Sequence, residues 1–262
     1  MPVQLTTGSE LTDQLSMLAD AVRPNELVVQ RLKRDIEKLR TVSPIEYYML
    51  LGMLHSVLGN EKECRENHDR TLRMSNDEVV LLNYGHSLRR LGHPGEAIPL
   101  MMKAFEQSPS EDIFSEVVQA MFYSGDLSEY HKLLERFTKC NPNRPIDSVF
   151  SARYIKNLKS CLERAGVSLR DFHTGMQLLE KVLLANEAHR CLEAIKFTLS
   201  NFEGVSHLTI RVLLKELPVE SIVRVNEAIA DELVDAEDME AWDRLIISAA
   251  EFTEVDRAAA VA

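Results

Sequence analysis

Three glycines, Gly59, Gly92 and Gly125, fall at a strict spacing of 33 residues, and each is flanked by an apolar helical pattern on either side. A fixed period in this range specifies stacked helical hairpins, because a single hairpin cannot bury its own apolar face. Glycine suits the end of a helix, where the chain often turns through the left-handed region. Other positions keep the same spacing: Cys64, Ala97 and Tyr130; Thr71, Ala104 and Phe137; Pro109 and Pro142. Small residues such as Gly85, Ala97 and Ala104 let two helices approach, and the prolines close a unit because they cannot continue a helix interior. Bulky Tyr130 and Phe137 do not suit a tight crossing, so the third hairpin is expected to splay or to end the regular stack. The competing reading is an irregular helical bundle whose glycines coincide in spacing.

These residues resemble a tetratricopeptide repeat. The middle unit carries Tyr84-Gly85, Gly92, Ala97, Ala104 and Pro109 at that family's offsets. The first has Tyr48, Leu51-Gly52 and Gly59, with Cys64 and Thr71 at the small positions. The third has Phe114, Gly125, Phe137 and Pro142. The resemblance covers 43–142, under half the chain, in units one residue shorter than the usual 34 or so.

The expected architecture is mainly α: an N-terminal helical hairpin or cap at 1–42, a tetratricopeptide-like α-solenoid at 43–142, and a C-terminal α+β unit at 146–262. In the first part, Leu11–Ala21 and Glu26–Leu39 read as helices on either side of Arg23-Pro24-Asn25. Asn141-Pro142-Asn143-Arg144-Pro145 marks the boundary after the repeats. Beyond it, Val149–Arg164 and Leu169–Leu184 read as helices, the second with Ser168 as its N-cap. The period then changes to two at Ile195, Phe197 and Leu199, and again at Leu208, Ile210, Val212 and Leu214. With a turn at Ser200–Gly204 between them, this predicts a β-hairpin over 194–215; the rival reading is another helical pair. Helices are expected at Val219–Val234 and from Met239 to Phe252, with 257–262 frayed.

The chain is acidic, with a formal net charge of −11. An acidic chain is a poor general binder of nucleic acid, whose non-specific affinity comes from phosphate neutralisation. The segment 150–217 departs mildly, with ten basic and seven acidic residues, and supports a second reading: a regulator that senses a peptide and touches nucleic acid there. No run of 18 or so apolar residues occurs, so no membrane span is expected. The start, MPVQLTTGSE, lacks the pattern of a secretion signal. Four scattered cysteines fit reduced thiols in the cytoplasm.

No catalytic motif is present: no HExxH, paired-cysteine, GxSxG or phosphate-loop pattern. No metal, cofactor or catalytic residue is therefore expected. His189 beside Cys191 is one pair, short of the three or four ligands zinc takes. The acidic run from Asp235 to Asp243 lacks the glycine and terminal glutamate of a calcium loop and reads as the first turn of a helix.

The resemblance implies that the first helix of each unit lines a concave, partner-binding face. Carried over residue by residue, its groove positions are Glu46, Met49, Met53 and Ser56; Val79, Leu82, His86 and Arg89; Asp112, Ser115, Gln119 and Phe122. Asn83, Arg90 and Tyr123 complete the candidate site, with Arg89 and Arg90 as a cationic spot beside Phe122 and Tyr123. The family's carboxylate-clamp positions hold Met49, Met53, Asp112 and Glu116 here, with only Asn83 matching. For Met49, Met53 and Leu82 the alternative is packing between repeats. The expectation is a non-enzymatic adaptor or chaperone-like protein of the bacterial cytoplasm that holds a protein or peptide segment, with a homodimer through the C-terminal unit as a further possibility.

Overall fold

All three spaced glycines take up left-handed backbone geometry, with φ of 74° at Gly59, 91° at Gly92 and 73° at Gly125. In the computed structural model, which describes residues 7–237, 239–253 and 256, each ends the first helix of a hairpin. The helices are α3 (Pro44–Leu58) with α4 (Glu61–Leu72), α5 (Glu78–Arg90) with α6 (Pro94–Gln107), and α7 (Glu111–Ser124) with α8 (Tyr130–Cys140). Asp77 and Ser110 cap α5 and α7 by accepting the N–H groups of Val80 and Ile113. Before them stand α1 (Thr7–Ala19) and α2 (Glu26–Glu37), whose Asn25 side chain caps α2.

The chain forms two compact units that divide after Pro109. In the first, α1 and α2 both pack on α3, and α3 and α4 both pack on α5, the sequential pattern of a helical repeat. Glycines set the closeness within each hairpin. A Cβ added at Gly52 would lie 2.5 Å from the His68 ring of α4, and one at Gly85 would lie 2.7 Å from Met101 Cγ of α6. The next position at this spacing holds Val118, and the Phe114 and Phe137 rings stand between α7 and α8 with centroids 4.5 Å apart. Tyr130 and Phe137 are buried, so the third hairpin is held apart by aromatic filling.

The second unit contains α7 and α8, then α9 (Phe150–Ala165), α10 (Leu169–Ala185), β1 (Leu192–Phe202), β2 (Val205–Leu214), α11 (Val219–Val234) and β3 (Leu245–Glu251). The expected hairpin is present: β1 and β2 are antiparallel around the Glu203-Gly204 turn, where both residues have positive φ. The helical alternative for this segment is thereby set aside. Ser168 caps α10 by accepting the Asp171 N–H.

The helix expected from Met239 to Phe252 is not formed; β3 occupies its second half and pairs parallel to β2, giving the sheet order β1-β2-β3. Leu245, Ile247 and Ala249 point to the buried side and alternate with Ile246, Ser248 and Ala250. Alanines and the preceding acids resemble a helix start, but the β-branched Ile246-Ile247 pair and the space beside β2 favour a strand. The expected fraying of 257–262 lies outside the described residues.

Parallel neighbours need a crossover, which α11 supplies while packing on β3 and α10. Leu208, Ile210, Val212 and Leu214 bury one face of β2, with α9 lying across β1 and β2. Gly175 admits β3 to α10, since a Cβ there would lie 2.7 Å from Leu245. The outer edge of β3 is sealed at Ala249: the Asn226 side chain donates to its carbonyl at 2.9 Å and accepts its N–H at 2.8 Å.

Replacing Gly85 with valine, the residue at the third position, forces Met101 out of a fully buried site. Urea unfolding is expected to show a loss of about 1–3 kcal/mol. An unchanged midpoint would mean that the closeness of α5 and α6 does not depend on this glycine.

Candidate functional site

The α5 helix presents one continuous row of accessible side chains. Val79 is exposed, and Leu82, Asn83, His86, Arg89 and Arg90 are half-buried. Steps of three and four residues place them on one helical face. The row starts apolar and ends cationic, and cations suit the C-terminal end of a helix. Two contacts align it with α3: Asn83 Nδ2 donates to Met49 Sδ at 3.5 Å, and Arg90 Nη1 donates to Ser56 Oγ at 3.1 Å. Both pairs are 34 residues apart, one more than the 33-residue spacing of the glycines, so neighbouring positions of successive units meet where the two helices run side by side.

Met49 and Met53, each 6% exposed, belong to the core of α1, α2 and α3. They therefore support the α5 row from beneath. Asn83 also donates to the Val79 carbonyl at 2.9 Å, and Arg89 Nη2 lies 3.4 Å from His86 Nδ1. Arg90 extends along Ser56, whose hydroxyl donates to the Met53 carbonyl at 2.7 Å. Burial, followed by the neighbouring Arg89 charge, pushes the Arg90 pKa down, while Asp20 opposes this.

Gln119, Phe122 and Tyr123 lie on α7, in the second unit. Gln119 is exposed and Tyr123 half-buried, but Phe122 is 3% exposed. Its ring packs against Tyr154, Phe172 and Phe197 at centroid distances of 5.0, 6.3 and 6.2 Å. Phe122 thus joins α7, α9, α10 and β1 in the core of that unit. Sequence periodicity carries no sign of this cluster, because its members come from four separate elements.

A second constellation escapes sequence motifs. Cys64 and His68 of α4 meet Ser87 of α5, with His68 Nε2 2.9 Å from Ser87 Oγ and its ring stacked 4.6 Å from Tyr84. Thiol, imidazole and hydroxyl together resemble a nucleophile and its base, yet all three residues are fully buried. Burial pushes the Cys64 thiol up to about 12 and the His68 imidazole down to about 3. A neutral thiol beside a neutral imidazole, closed to substrate, is packing chemistry rather than an activated nucleophile. Outside it, Arg65 pairs with Glu61 one turn back on its own helix at 2.7 Å and ties α4 to the next hairpin through a two-pronged contact to Glu96 of α6 at 2.7 and 3.0 Å. That planar fork is the geometry in which arginine binds carboxylate best.

Among the described residues, no three histidine, cysteine or acidic side chains gather as metal ligands. No described helix is long and apolar enough to cross a membrane. Comparison with protein-family models, with curated proteins and with solved structures gives no match.

His68 links stability to pH. Above its unfolded pKa near 6.5 both states are neutral; below it only the unfolded chain takes up the proton, until about 3. Stability is therefore expected to fall as pH drops through this window, by up to about 1.4 kcal/mol per unit. In His68→Gln, urea midpoints measured at successive pH values should lose that component of the slope. An identical slope in the variant would assign the acid sensitivity to other groups.

Proposed function

We propose that this chain is a non-enzymatic interaction module of the tetratricopeptide kind, an adaptor or chaperone-like protein that holds a peptide segment of a protein partner. The observation that carries the reading is the α5 row, Val79 to Arg90, laid beside α3 in the register of the repeat. Leu82 gives the row an accessible apolar side chain, set over the buried Met49 and Met53. His86, Arg89 and Arg90 add polar selection at one end. The sealed state of Cys64, His68 and Ser87 favours binding over catalysis as the role of this unit. Four cysteines with no disulfide between them suit a reducing compartment such as the cytoplasm.

The nucleic-acid alternative gains little support from the mildly basic segment. Lys156, Lys181, Lys196 and Lys215 are engaged with Asp147, Glu232, Asp256 and Glu193. Cations already matched by carboxylates contribute less to phosphate binding.

Tagged chain recovered from its host should co-purify a partner set identifiable by mass spectrometry. In Val79→Glu/Arg89→Glu, recovery of that set is expected to fall about tenfold, equivalent to about 1.4 kcal/mol, with unchanged far-UV circular dichroism. Equal recovery by a folded variant would remove the α5 face as the binding surface.

A further inference from the structure

We infer that the outer edge of β1 is a self-association edge, at which a second copy adds its own β1 antiparallel about Leu199. The inference stands apart from the α5 reading and rests on the sheet alone. Its two edges are built differently. On β3, Asn226 occupies both the N–H and the carbonyl of Ala249, a device that stops further pairing. On β1, the corresponding intrusion is at the start of the strand, where Tyr154 Oη donates to the Ile195 carbonyl at 3.2 Å.

Which backbone groups face outward follows from the turn. Phe202 and Val205 close a two-residue hairpin loop, and such a closing pair is hydrogen-bonded. The even-numbered residues of β1 therefore bond to β2, and Phe197, Leu199 and Asn201 direct their N–H and carbonyl groups to the outer edge. The Tyr154 contact at Ile195 agrees with this parity. Ile195 is occupied on one side and the turn begins on the other, so among the described residues the accessible stretch runs from 197 to 201. Its centre is Leu199, and a two-fold axis there pairs Phe197 with Asn201 of the other copy.

The side chains fit such a pairing. Across the axis Leu199 meets itself, Thr198 meets Ser200, and Lys196 meets the 68% exposed Phe202. No like charges oppose, and an apolar central pair with hydroxyl pairs beside it is favourable across antiparallel strands. A charge, proline or bulge, the usual protections of an edge, is missing from 197–201. Exposed Phe150 flanks the same edge through Tyr154, at a centroid distance of 6.1 Å, and Tyr154 itself lies 4.8 Å from Phe197.

Sedimentation and light scattering of the full chain at micromolar concentration test this. The native chain should have twice the mass of one copy. Thr198→Lys/Ser200→Lys sets lysines against lysines across the axis, and Thr198→Glu/Ser200→Glu does the same with glutamates. Both positions are exposed, so each variant should fold and run as a monomer, and an equal mixture should restore the dimer. As a second measurement, Thr198→Cys/Ser200→Cys should form a covalent dimer on mild oxidation beyond that seen for the native chain. The two positions become a non-hydrogen-bonded pair with Cα atoms about 4.5 Å apart, within disulfide reach. A monomeric native chain, a dimer that survives the lysine pair, or cysteines that do not cross-link would each overturn the proposal.

Discussion

The approach of α4 to α3 at Gly52, and of α6 to α5 at Gly85, sets the geometry of the whole first unit. With no Cβ at either point, the His68 ring and the Met101 side chain fill the space against bare backbone. Tightly closed hairpins can then stack so that α3 and α5 run side by side, and residues 34 apart come into contact. The row on α5 is a product of that stacking: its floor is the buried side of one hairpin and its accessible face belongs to the next. Where Val118 replaces the glycine, Phe114 and Phe137 fill a wider gap, and the chain leaves the first unit for a different kind of packing.

Polar groups in the first unit divide by what surrounds them. His68 and Cys64 stay neutral because burial disfavours their charged forms, and Ser87 gives both a hydrogen-bonding neighbour. Arg65, nearer the surface, keeps its charge beside Glu61 and Glu96 and its pKa is raised by those contacts. The same helix thus carries a sealed neutral cluster on one side and an ion-paired clasp on the other. Both tie α4 to the next hairpin, one by close packing and the other by directional contacts.

Helices were legible in the sequence where short-range signals agree. The left-handed glycines, the Ser168 cap and the period-two runs of β1 and β2 all report local conformation, and each appears where it was expected. β3 was missed because its identity depends on a neighbour. Leu245, Ile247 and Ala249 make a strand only when β2 offers a ladder, and the acids and alanines around them imitate a helix start. The candidate groove was legible in part. Repeat spacing located the α5 row, but it assigned Met49, Met53 and Phe122 to a surface without knowing what packs over them. Phe122 joins rings from three other elements, a long-range arrangement that spacing along one helix does not encode.

The grip of Asn226 on Ala249 has a consequence for how large any assembly of this chain becomes. A sheet with two open edges adds subunits without end and grows into a fibre; one with a single open edge reaches completion at the first partner. By occupying both backbone groups of Ala249 on the far side of β3, one amide side chain would hold growth through the strands to a single step if β1 pairs as inferred.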